Sequence, residues 1–149
     1  SKGIIHEKII DDLMDHAFFK KKYAKTTGKE DFNLSIIPKK FLKKDKEDIL
    51  ATLCEFTAKS IFIALRKNNH LALKNYIVSG GGAKNKYLIE RLNSYLDNKV
   101  LSSEKLGLPV DAVESMAFAW LAYKKLNNIP TLIKTNNKTV KAVIGSISN

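Results

Sequence analysis

Residues 76–92 read Tyr-Ile-Val-Ser-Gly-Gly-Gly-Ala-Lys-Asn-Lys-Tyr-Leu-Ile-Glu-Arg-Leu. A short apolar run ends in a serine and three glycines, and helical spacing resumes after Asn85. Glycine permits positive φ and lets a ligand lie against backbone amides. The helix start beyond it offers unpaired N–H groups and the positive end of a dipole. The chemistry this pattern suits is contact with a phosphate or a nucleotide. It suits a plain strand-to-helix turn equally well, because glycine-rich turns are common. It is not a Walker loop, since no Gly-Lys-Ser or Gly-Lys-Thr follows. Lys84 and Asn85 after Ala83 also break the G-x-G-x-x-G dinucleotide pattern.

Glu114 is the second residue that asks for a reason. It stands among Val113, Met116, Ala117, Phe118 and Trp120, in a helix with no other carboxylate beyond its expected cap, Asp111. An acid in such surroundings needs a partner or a role. One account is a first-turn glutamate held by the helix dipole or by a capping arrangement; the other is contact with a ligand. His6, His16 and His70 have no ligand spacing, Cys54 is a lone thiol that suits packing, and no Ser–His–Asp or Cys–His set stands out.

The elements that must position these residues follow from periodicity. Residues 3–15 place Ile5, Ile9 and Leu13 on one helical face. A long connection follows, with Gly28 and Pro38 and no sustained period, and loops of that length are often functional. Asp45 is the expected cap of a helix running to about Lys67, with Asp48 in its first turn and Ile49, Leu50, Leu53, Phe56, Ile61, Ile63 and Leu65 as its apolar positions. Residues 75–82 read as a buried strand, residues 83–97 as a helix and residues 99–103 as a second strand. The helix after Asp111 is apolar around most of its girth and is expected to be well buried. Phe118, Trp120, Phe56 and Tyr76 are expected in the core. Residues 139–148 alternate Val140, Ala142 and Ile144 against Lys141, Val143 and Gly145, as a sheet-edge strand does. Strands alternating with helices predict one α/β layered domain over residues 1–149, with a helix and connection in 1–44 and the core in 45–149.

Composition bounds the rest. A chain of 149 residues, 44% hydrophobic, buries one core. It has no run of about 18 apolar residues, so no membrane partner is expected. Its first residues are charged and periodic, unlike a signal peptide. A single cysteine with no export signal makes the reducing cytoplasm the default location. The net charge of +11 raises nucleic acid as a partner. Yet Arg66 and Arg91 are the only arginines, and the lysines are spread along the chain. A solvated lysine-rich surface is the better reading, and no nucleic-acid partner is expected.

The glycine segment resembles the adenosine-binding motif of the actin-like ATPase superfamily, in which a buried strand of the second lobe ends in Gly-Gly. Three further stretches narrow the resemblance to the anhydro-N-acetylmuramic acid kinases. These are residues 24–33, Ala-Lys-Thr-Thr-Gly-Lys-Glu-Asp-Phe-Asn; residues 48–61, which open Asp-Ile-Leu-Ala-Thr-Leu; and residues 111–122, Asp-Ala-Val-Glu-Ser-Met-Ala-Phe-Ala-Trp-Leu-Ala. The four occur in the family's order and cover essentially the whole chain. Ala24, Thr26, Lys29 and Ser115 depart from the usual Pro, Ser, Arg and Ala, and residues 134–145 lack the usual Val-Thr-Gly-Ala.

The resemblance implies the C-terminal lobe of an actin-like, ribonuclease H-like fold, a mixed sheet with flanking helices. It implies a partner N-terminal lobe, carrying an Asp-Gly-Thr phosphate loop and the catalytic aspartate, that these residues do not match. The implied reaction opens the 1,6-anhydro ring of an amino sugar and phosphorylates its 6-oxygen, with ATP and Mg2+. Gly80, Gly81, Gly82 and Ala83 are then expected along the nucleotide. Asn85 either bonds the nucleotide or caps the helix. Glu114 is expected to contact the sugar or its attacking water. Lys25, Thr27, Gly28 and Glu30 either touch the sugar or anchor the hinge. No metal ligand and no catalytic residue is expected in this segment, and a homodimer stays open. The competing readings are a non-catalytic actin-like nucleotide module, the lobe of another sugar kinase, and a basic nucleic-acid-binding domain with steeply salt-dependent binding.

Overall fold

The computed structural model describes residues 3–21, 26–28, 30–68, 70–97, 99–134 and 138–145. Lys25 and Lys29 lie outside the described residues. The chain is α/β, with five helices and two small sheets among the described residues: α1 (Glu7–Met14), α2 (Ala17–Lys20), α3 (Lys46–Lys67), β1 (Tyr76–Val78), α4 (Lys86–Tyr95), β2 (Val100–Ser102), α5 (Val113–Leu126), β3 (Thr131–Lys134) and β4 (Thr139–Ala142).

Strand β1 pairs with β2 in parallel, Tyr76 opposite Val100 and Val78 opposite Ser102. Parallel neighbours need a crossover, and α4 supplies it. Strands β3 and β4 form a separate antiparallel pair, Thr131 opposite Ala142. The expected single sheet is thus two two-stranded ones. Residues 131–134 carry no alternating pattern of the kind that marked residues 139–148, which is why β3 was not foreseen.

The core lies where α3 and α4 meet the parallel pair. Ala58, Leu92, Leu96 and Val100 are buried together, with Phe62, Leu65, Tyr76, Val78 and Leu88 packed against them. Helix α3 turns its small residues inward: Ala51 and Ala58 are fully buried, whereas Leu50 and Ile61 are exposed. Small side chains at this spacing let a neighbouring helix approach closely, and they outweigh the larger apolar residues in choosing the buried face. Asp45 occupies the N-cap position of α3 without a side-chain capping bond. The Ile4 N–H instead finds Asp48 Oδ1 at 2.7 Å, and the His6 N–H finds Thr52 Oγ1 at 3.1 Å. Those bonds tether the start of the chain to α3, and Ile10 and Leu13 of α1 are buried there.

One buried group breaks the apolar rule. Glu55 of α3 is 2% exposed. Arg91 of α4 donates to it through both Nε and Nη2, and the Tyr95 hydroxyl donates to Oε1 at 2.6 Å. Burial pushes the Glu55 carboxyl up, but hydrogen bonds from Arg91 and Tyr95 outweigh it, and its pKa lies below the ordinary value. Burial, then the bond to Glu55, raise Tyr95 to about 12. Tyr95 also stacks on Phe62, with ring centroids 5.1 Å apart.

Helix α5 corrects the expectation of deep burial. None of its residues is buried, and Phe118 and Trp120 are 65% and 57% exposed. Its apolar girth is real, but the described residues cover it only in part. Asp111 is likewise not a cap: Ala112 is the N-cap residue, with no side-chain capping bond.

The Glu55 network yields a stability prediction. Arg91→Ala leaves a buried carboxylate without its partner and is expected to cost about 3–5 kcal/mol in urea unfolding of the intact protein. Replacing both partners, Glu55→Met with Arg91→Leu, is expected to cost far less. The pH signs oppose each other. Glu55 stabilises fully above the ordinary carboxylate value and loses that contribution as pH falls through its lower folded value. Tyr95 stabilises fully below pH 10 and loses its contribution as pH rises through about 12.

Candidate functional site

The glycines lie between β1 and α4. Gly80 has φ 72°, in the left-handed region, and its N–H donates to Val110 O at 2.9 Å. The turn therefore needs a glycine at position 80 and ties it to the chain just before α5. Residues 81–84 form one 3-10 turn, and Asn85 Oδ1 then accepts the Leu88 N–H at 3.1 Å. Of the two roles open to Asn85, the structure displays the helix cap.

Gly81 differs from Gly80. Its φ lies outside the positive region, and a Cβ built on it would meet no protein atom within 4 Å. A Cβ on Gly82 would make only an ordinary contact, 3.8 Å from Leu88 Cδ2. The fold has no steric need for glycine at either place. Gly81 also lines a cavity of about 420 Å³. Its lining comes from two segments: Ser79, Gly80 and Gly81 after β1, and Val110, Asp111, Val113, Glu114 and Ala117 leading into α5. The structure thus brings Glu114 to the same cavity as the glycines. Gly82, Ala83 and Asn85 sit on the turn but do not line it.

Two acids and one base set the electrostatics. Asp111 and Glu114 are both exposed. Lys84, on the glycine turn, pairs with Asp111 Oδ2, and both side chains are more than half exposed. Among the described residues the Glu114 carboxylate has no hydrogen-bond or ion-pair partner. Sequence reasoning missed the Asp111 pair and had cast Asp111 as a cap. No local pattern signals a partner 27 positions away.

Residues 26–28 and 30–33 lie elsewhere. Thr27 Oγ1 donates to Asp31 Oδ2 at 2.9 Å, and the Phe32 N–H reaches Gly28 O at 3.2 Å. Phe32 joins Phe18, Phe19 and Phe56, with centroids 5.4, 5.7 and 6.3 Å away. Thr27 and Gly28 line a second cavity of about 400 Å³ that shares no residue with the first. These bonds hold the loop to itself and to α3. Among the described residues, no group of three or more His, Cys, Asp or Glu side chains converges to hold a metal ion, and no helix is long and apolar enough to cross a membrane.

Comparison with known proteins places the whole pattern in context. The family model for anhydro-N-acetylmuramic acid kinase matches residues 1–148. A protein of that name from Gamma-proteobacterium EBAC31A08 is 46% identical over 148 residues, covering 99% of this chain and 40% of the relative. Those from Hydrogenovibrio crunogenus and Haemophilus influenzae are each 35% identical, over 97% and 99% of this chain and 40% and 42% of theirs. The chain thus spans about two-fifths of the length of these relatives.

The two roles weighed for Asn85 separate by measurement. Asn85→Ala is expected to cost about 1 kcal/mol of stability through loss of the cap, and Asn85→Ser to recover most of it. A nucleotide role predicts instead that Asn85→Ser lowers nucleotide affinity as much as Asn85→Ala.

Proposed function

This chain belongs to the anhydro-N-acetylmuramic acid kinase family, and from that premise we propose that it is the C-terminal, actin-like lobe of an ATP-dependent sugar kinase. The whole protein opens the 1,6-anhydro ring of anhydro-N-acetylmuramic acid and phosphorylates its 6-oxygen. Water adds at the anomeric carbon, the bond from that carbon to the 6-oxygen breaks, and the 6-oxygen takes the γ-phosphoryl group as ADP leaves. The product is N-acetylmuramic acid 6-phosphate, formed in the cytoplasm from recycled cell-wall material.

The observation that carries this reading is Gly81. A glycine that the fold does not require, facing a cavity, is explained by a ligand that lies against its backbone. Adenosine lies against the glycine turn at Gly81, and Glu114, which lines the same cavity, takes the sugar or its water. Mg2+ belongs with the nucleotide phosphates and the rest of the protein, since no metal-binding group converges here among the described residues. The general base and the first phosphate loop belong to the N-terminal lobe, so these residues alone should not turn over substrate. The exposed apolar side of α5 supports the same view, because a lobe cut from its partner leaves such a face uncovered. The nucleic-acid reading loses one of its two arginines, since Arg91 is committed to Glu55.

Two substitutions in the intact protein test the assignment. Gly81→Val meets no steric obstacle from the protein, so the fold is expected to survive while affinity for a non-hydrolysable ATP analogue falls at least about tenfold, or 1.4 kcal/mol. Unchanged affinity would remove the nucleotide from this wall. Glu114→Ala is expected to lower kcat on the anhydro sugar by about 100-fold, within the range for a group acting in proton transfer, with thermal stability unchanged. Full activity would reject Glu114 as a sugar or water contact.

A further inference from the structure

The cavity that faces Gly81 has an acidic far wall, and the nucleotide placed there carries both negative charge and hydrogen-bond donors. Phosphate oxygens only accept, and they are repelled by Asp111 and Glu114. The donors of a nucleotide are its ribose hydroxyls and its exocyclic amine. A carboxylate wall therefore suits the sugar or the base edge and turns the phosphates away.

Of the two acids, Asp111 is the one held in place. Lys84 occupies its Oδ2, and Lys84 belongs to the same turn as Gly81 and Gly82. The backbone bond from Gly80 N–H to Val110 O, 2.9 Å long, joins the two walls beside it. The Asp111 carboxylate thus lines the same cavity as Gly80 and Gly81, with Lys84 of the glycine turn as its partner. An aspartate accepts at both oxygens, so with Lys84 on Oδ2 the other oxygen can take a hydroxyl proton. Hydroxyl-to-carboxylate bonds are among the stronger ones.

We propose that Asp111, positioned by Lys84, accepts a hydrogen bond from the ribose hydroxyls of the bound nucleotide and selects ribonucleotides over deoxyribonucleotides. This rests on the nucleotide reading of the glycine cavity. Glu114, three residues on, is left for the other substrate.

The test is equilibrium binding of ATP, 2′-deoxy-ATP, 3′-deoxy-ATP and inosine triphosphate to the full-length protein. The wild type is expected to prefer ATP over at least one deoxy analogue by about 10- to 100-fold, the range of a hydrogen bond to a charged group. Asp111→Ala is expected to bring that ratio to within about twofold by weakening ATP and leaving the deoxy analogue unchanged. Asp111→Asn, which keeps an accepting oxygen, should retain part of it. The proposal is overturned if the wild type binds ATP and both deoxy analogues alike, if Asp111→Ala weakens all of them by the same factor, or if the ratio that collapses is that of ATP to inosine triphosphate. Failure of the underlying site reads differently: Gly81→Val then leaves ATP binding intact.

Discussion

The ion pair between Glu55 and Arg91 is the constraint on which the rest of this structure depends. A carboxylate 2% exposed is tolerable only with its lone pairs engaged, and Arg91 and Tyr95 engage them. A geometry with a bidentate guanidinium and a phenol on one acid leaves little freedom for α4 to rotate or slide on α3. Apolar packing between the helices is non-directional and would admit several settings; the polar network selects one. Once α4 is fixed, so is the turn at its N-terminus, because Asn85 caps that helix. The glycine wall of the cavity therefore inherits its position from a network that touches no ligand.

The three glycines serve different masters. Gly80 answers to the backbone, with its positive φ and its bond to Val110. Gly81 meets no steric demand from the protein, and it lines the cavity. Gly82 stands between, with Leu88 at ordinary contact distance. Run together in the sequence, they look like one signal for a tight turn. Separated by backbone conformation, they contain one residue that the turn requires to be glycine and two that it does not.

How much the sequence disclosed varies with the range of the interaction. Strand β1, helix α4 and strand β2 were legible, because period and glycine punctuation are local. The ends of α3 were legible too, yet its buried face was not: the rule that large apolar residues go inside pointed to Leu50 and Ile61, whereas Ala51 and Ala58 are buried. Nothing local marks Glu55 as the partner of Arg91, 36 positions on, or Asp111 as the partner of Lys84. Pattern matching succeeded where pair reasoning could not. Residues 48–61 belong to a recognisable stretch, and the structure gives several of them work: Asp48 and Thr52 hold the first residues of the chain.

Helix α5 shows how one element can answer to two sides. Its first turn is polar toward the glycine cavity through Glu114, while Met116, Phe118, Trp120 and Tyr123 stay exposed. Trp120 and Tyr123 stack on each other at 5.6 Å, and the Lys124 ammonium stands 5.6 Å from the Trp120 ring. Those contacts shelter the aromatic faces from water only in part. An apolar helix flank left in this condition costs hydration free energy. The same helix thus carries both surfaces, a cavity wall at its first turn and an uncovered apolar flank beyond it.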